Sequence, residues 1–89
     1  MLSLDFSTNV SDFLDKLDKH IMIRIVERLE KLKENPVPSD VKFMCRDNNG
    51  DKIFRYRVGD YRALYKVKYK ESVILITKLE KRPRVYDKY

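Results

Sequence analysis

The 89-residue chain is predicted to fold as one α+β domain spanning residues 1–89. In it an N-terminal strand and an αα-hairpin precede an antiparallel β-sheet of three to four strands. Three observations lead there. Apolar residues alternate up to Phe6, adopt a helical spacing from Val10 to Leu32, and alternate again from Ile53 onward. A proline-containing stretch, "NPVP", separates the helical and alternating regimes. The helices come as one block and the strands as another, an order that sets helices on one face of an antiparallel sheet. A chain of this length has room for one modest core and no second domain.

Leu2, Leu4 and Phe6 share one side of a short first strand. Val10, Phe13, Leu14 and Leu17 then fall at i, i+3, i+4 and i+7, one stripe of a helix, with Ser7 or Thr8 as its N-cap. Asp18 marks a second cap or a break. Beyond it Ile21, Ile25, Leu29 and Leu32, widened by Met22 and Val26, form the stripe of a second helix that Asn35 and Pro36 end. On its surface Glu27 and Lys31 attract while Glu30 and Glu34 repel, so charge pairing adds little. The connector holds a possible short strand at Val41–Met44 and a turn at "DNNGD". Strands are expected at Ile53–Val58, Tyr61–Tyr69 and Ser72–Lys81. Gly59-Asp60 suits a type II′ turn between the first two, whereas Lys70-Glu71 is a weaker turn signal and implies a longer loop. Val73–Ile76 is apolar on both faces and belongs inside the sheet.

Charge is distributed unevenly. Residues 1–51 hold 8 Lys/Arg against 10 Asp/Glu, and residues 52–89 hold 12 against 4, a balance of −2 followed by +8. Such a basic half attracts nucleic acid or an acidic protein. No apolar run is long enough to span a membrane, and the first residues carry acid rather than the basic start of a signal peptide. Cys45 is alone, which rules out an internal disulfide and favours a reducing cytoplasm. It is expected to be a buried strand residue rather than a nucleophile.

The stretch "FRYRVGDYR" concentrates this charge. Alternation sets Arg55 and Arg57 on one face and Phe54, Tyr56 and Val58 on the other. A two-residue loop pairs Val58 with Tyr61 and Arg57 with Arg62, so two guanidinium groups face each other, an arrangement that destabilises a hairpin unless an anion relieves it. Lys66 and Lys68 continue the face along the next strand. The last strand returns antiparallel, so Arg82 and Arg84 emerge near Arg57 and Arg62, with Tyr86 within reach. Arginine fits phosphate with a two-pronged fork. The competing reading is a solvated basic face in which Asp60, Glu80 or Asp87 neutralises an arginine. Tyr56, Tyr61 and Tyr65 are expected to pack within the core.

"YRVGDYRALYKV" followed by "LEKRPRVY" resembles the RelE/ParE superfamily of toxin–antitoxin toxins, closest to the RelE branch, over nearly the whole chain. The resemblance implies a ribosome-dependent endoribonuclease that cuts mRNA, held in check by a RelB-like antitoxin. It further implies that Arg62 steadies the scissile phosphate, that Arg82, or Arg84 in its place, acts as general acid or charge stabiliser, and that Tyr86 activates the attacking 2′-hydroxyl or stacks on a base. Arg55 takes a place often held by lysine, and Arg57 flanks it. ParE-like relatives that inhibit DNA gyrase share the scaffold, as would a non-catalytic ribosome- or RNA-binding module.

Cleavage by 2′-hydroxyl attack needs in-line geometry, charge stabilisation and proton transfer. His20, the single histidine, lies far in sequence from the arginines and is expected to be structural. The basic half lacks clustered metal ligands, and two glycines make no phosphate loop, so no cofactor or metal is expected. Arginine and tyrosine must therefore do the work. An ordinary tyrosine titrates at about pH 10, and neighbouring guanidinium groups favour its phenolate. A site of this kind depends on its partner, the ribosome, to hold mRNA in a reactive shape.

Overall fold

In the computed structural model, which describes residues 2–82, the elements run β1 (Ser3–Phe6), α1 (Thr8–Asp15), α2 (Lys19–Glu30), β2 (Lys42–Arg46), β3 (Lys52–Val58), β4 (Tyr61–Lys68) and β5 (Val73–Lys81). The strands form one five-stranded sheet in the order β1-β5-β4-β3-β2. The four strands after the helices are antiparallel, as expected. β1 adds to them in parallel, Ser3 opposite Val73 and Phe6 opposite Ile76. By these pairings β2 runs opposite to β1, so the two-helix connection returns the chain to the end of the sheet where β1 finished, and the three reversals from β2 to β5 then bring β5 parallel to β1. β5 thus lies between two neighbours, where the doubly apolar Val73–Ile76 segment belongs.

Helices and sheet meet over one core. Val10 and Leu14 from α1, Ile25 and Leu29 from α2, and Leu32 pack on Tyr56, Val58, Ala63, Tyr65, Ile74, Ile76 and Leu79, all buried. Tyr65 donates its hydroxyl proton to the Pro36 carbonyl at 2.6 Å, which anchors the connector to the sheet. Burial pushes this phenol well above its ordinary range. The Ser7 hydroxyl precedes α1 but caps nothing; it donates to Asn9 Oδ1 at 2.6 Å and to the Thr77 carbonyl at 3.3 Å. The start of α1 is thereby fastened to β5.

Two expectations are corrected here. α2 ends at Glu30, before Asn35-Pro36, and one 3-10 turn over Lys31–Lys33 keeps Leu32 in the core. The ion pair on this surface joins Glu30 to Lys33 at 2.6 Å. Cys45 is exposed rather than buried, because β2 is an edge strand with all of its residues exposed. The turns match their chemistry. Gly59 has φ +60° while Asp60 does not turn positive, as a type II′ hairpin requires. The β4–β5 connection is longer, with Ser72 at φ 58°. The "DNNGD" turn is closed by Asp47, whose Oδ1 accepts from the backbone N–H groups of Asn49 and Asp51 at 2.9 and 3.0 Å.

Candidate active site

The β3–β4 register sets Val58 opposite Tyr61, Arg57 opposite Arg62 and Arg55 opposite Leu64. Because Tyr56 and Val58 fill the core, Arg55, Arg57 and Arg62 project from the face of the sheet turned away from the helices. β5 brings the tail alongside. The Arg82 N–H donates to the Asp60 carbonyl at 2.7 Å, which holds the chain leaving β5 against the Gly59-Asp60 turn. Arg55, Arg57, Arg62 and Arg82 consequently line one open depression of about 280 Å³.

Among the described residues Glu80 moderates this cluster. Glu80 lies opposite Arg62 on β5, and its Oε1 accepts from Arg62 Nε at 2.8 Å. Lys78 Nζ stands 3.6 Å from Glu80 Oε2. Both members of the Arg62–Glu80 pair keep about a third of their side-chain surface in solvent, 33% and 35%, so water screens them and the pair stabilises by about 1 kcal/mol at most. Among the described residues neither Arg55 nor Arg57 has a carboxylate partner. Arg55 and Arg57 therefore offer guanidinium donors suited to phosphate oxygens.

The two lysines on the same face of β4 are placed differently from expectation. Lys66 Nζ is held 2.7 Å from Asp47 Oδ2 and 3.1 Å from Asp51 Oδ2, and only 7% of the residue is exposed. These hydrogen bonds raise the ammonium above its ordinary range, and the bond from Lys66 lowers Asp47 below its own. In place of an open phosphate contact, Lys66 ties the β2–β3 turn to β4. Lys68, opposite Val73 at the far end of β4, does not line the arginine depression. His20 is exposed on α2 and Cys45 is exposed on β2, and neither lines it. Arg84 and Tyr86 lie outside the described residues. Among the described residues no three His, Cys, Asp or Glu side chains could hold a metal ion together, and no helix is long and apolar enough to cross a membrane.

Arg28 was not singled out by the sequence. It reaches from α2 over the ring of Tyr56, with its guanidinium carbon 5.4 Å from the ring centroid. Its Nε donates to the Tyr56 hydroxyl at 3.4 Å and its Nη2 to the Arg57 carbonyl at 3.5 Å. The one cue to this role is its place between Ile25 and Leu29, on the side of α2 that meets the sheet.

Comparison with known proteins places the chain. The ParE toxin family of type II toxin–antitoxin systems, parDE, matches residues 4–86. The RelE1 protein of Methanocaldococcus jannaschii is 33% identical over 60 residues, 67% of either chain. A chain of the archaeal RelE–RelB complex from Pyrococcus horikoshii OT3 superposes with a TM-score of 0.77 at 31% identity, covering 93% of this chain and 97% of that one. A chain of the toxin–antitoxin complex RelBE2 of Mycobacterium tuberculosis gives 0.73 at 26% identity, covering 91% and 98%. With the family matched over residues 4–86 and the archaeal structure superposing over 93% of this chain, this protein belongs to the RelE/ParE superfamily of type II toxin–antitoxin toxins as a RelE-type member.

Proposed function

We propose that this toxin is a ribosome-dependent endoribonuclease that cleaves translated mRNA without a metal ion. The observation that carries the reading is the convergence of Arg55, Arg57, Arg62 and Arg82 on one depression, where neither Arg55 nor Arg57 has a carboxylate partner among the described residues. In the proposed step the 2′-oxygen of one nucleotide bonds to the adjoining phosphorus as the bond to the 5′-oxygen breaks. The products are a 2′,3′-cyclic phosphate and a free 5′-hydroxyl. The proton leaves the 2′-hydroxyl for a base, and another reaches the departing 5′-oxygen. Arg62 and Arg82 stabilise the charge that builds on the phosphate, while Arg55 and Arg57 grip its neighbourhood. Tyr86 is proposed as the group that activates the 2′-hydroxyl, and Arg82 or Arg84 as the one serving the leaving oxygen.

The basic half docks the toxin on ribosomal RNA in the cytoplasm, with affinity falling as salt rises. A RelB-like antitoxin is the proposed protein partner, because the Pyrococcus horikoshii and Mycobacterium tuberculosis relatives are toxin–antitoxin complexes. The ParE description of the matching family keeps gyrase inhibition as the second reading. Mapping mRNA ends in a translation extract separates the two. Codon-positioned cuts are expected from the wild type, and Arg62→Ala should lower their rate by about 10²–10³-fold, the usual effect of removing one charge-stabilising donor. Absence of cuts, together with inhibition of DNA supercoiling that survives Arg82→Ala and Tyr86→Phe, would establish the gyrase reading instead.

A further inference from the structure

Arg55 and Arg57 also line a second depression, on the β2 side of β3. It measures about 480 Å³ and is completed by Arg28, Asp40, Lys42 and Gly59. It exists because β2 is short. The β2–β3 ladder begins with Lys42 opposite Arg55, and beyond that pair no described strand covers the edge of β3 that faces away from β4. The gap is closed from the helix layer by Arg28, which its contacts with Tyr56 and the Arg57 carbonyl hold in place. Among the described residues four cations thus surround this space with one carboxylate, Asp40, which forms no ion pair there. The two depressions share Arg55 and Arg57 as a common wall. Together they make a continuous basic path across β3, from Arg82 and Arg62 to Lys42 and Arg28.

A path of spaced cations fits a strand that carries one negative charge per residue better than it fits a single anion. We infer that the depression between α2 and β2 is a second nucleotide subsite, which holds the backbone phosphate and sugar of a nucleotide next to the one cleaved. Arg28 and Lys42 contact the phosphate. Asp40 accepts from a hydroxyl or an exocyclic amine of the same nucleotide. This inference rests on the reading of the arginine depression as the cleavage site, and it adds Arg28, Lys42 and Asp40 as determinants of how far along the mRNA the toxin holds on.

Fluorescence anisotropy tests it with the intact toxin and oligoribonucleotides carrying 2′-deoxy at the cleavage position, so that none is cut. Lengthening the RNA from a dinucleotide to a tetranucleotide should tighten binding to the wild type. That gain should vanish in Lys42→Ala and Arg28→Gln, whose tetranucleotide salt slopes should each fall by about 0.7. Arg62→Ala should weaken both lengths and keep the gain. A wild type indifferent to length, or a gain retained in Lys42→Ala, would overturn the subsite. So would Lys42-dependent capture of poly-glutamate with no RNA gain, which would assign the depression to an acidic protein. Should Arg28→Gln fail to fold, Lys42→Ala decides alone, since Lys42 is exposed on the edge strand. A gain that persists while no ribosomal cuts appear removes the nuclease reading and leaves the subsite. Cuts without a gain do the reverse.

Discussion

Arg57 and Arg62 face each other across the β3–β4 hairpin, and like charges so placed cost a share of the roughly 0.2–1 kcal/mol typical of cross-strand pairs. Glu80 relieves Arg62 from the other side, while Arg57 is left to an incoming anion. Glu80 therefore tunes the site as well as the hairpin. Glu80→Gln should tighten RNA binding and steepen its salt dependence, read by anisotropy, with a stability loss of no more than about 1 kcal/mol in thermal unfolding. Weaker RNA binding in this variant would make Glu80 a positioner of Arg62 rather than a neutraliser. Lys66 belongs to a different balance. Asp47 is held below its ordinary value of 3.8, so its contribution is present above that value and is lost as pH falls through the lowered one. Lys66 is held above 10.5, so its contribution is complete below that value and fades in stronger alkali. Between the two limits the Lys66 contacts are intact. The melting temperature of Asp47→Asn should fall below that of the wild type at neutral pH, and the gap should close as pH drops below 3.8. A gap that persists in acid would mean that Asp47 acts through its turn hydrogen bonds alone.

At the level of elements, the β3–β4 hairpin aims the arginines, and Gly59 shapes the hairpin. A Cβ at Gly59 would meet nothing within 4 Å, so the penalty of a side chain lies wholly in its φ of +60°. Gly59→Ala should cost about 1–2 kcal/mol in denaturant unfolding and should slow the proposed cleavage by shifting Arg57 against Arg62. This hairpin was legible in the sequence, since alternation and a Gly-Asp turn fix both register and faces locally. The convergence of Arg55, Arg57, Arg62 and Arg82 was legible for the same reason, an antiparallel return being a short-range constraint. Features that depend on distant segments were not. "DNNGD" announced a turn but not that Asp47 and Asp51 would reach Lys66. The alternation of Leu2, Leu4 and Phe6 announced a strand but not its parallel partner. Cys45 looked like a core residue because apolar neighbours do not reveal that a strand lies at the edge of a sheet. Arg28 looked like an ordinary polar residue of an amphipathic helix.

Across the whole molecule, one core sets the distance between the helix layer and the sheet, and so the reach of Arg28 to Tyr56. Leu29, one residue beyond Arg28, is wholly buried at 0% exposure. Leu29→Ala should destabilise the protein by about 2–5 kcal/mol, measured by urea unfolding, and should also loosen the Arg28 stack. The parallel seat of β1 beside β5 has a consequence for biosynthesis. Ser3 waits for Val73, so the earliest-made strand stays without its neighbour until the latest-made one has emerged. Protease challenge of stalled nascent chains should find a resistant product only once residues through Lys81 have cleared the exit tunnel. The armed conformation is then closed by the last strand to emerge, and no shorter exposed segment can hold it.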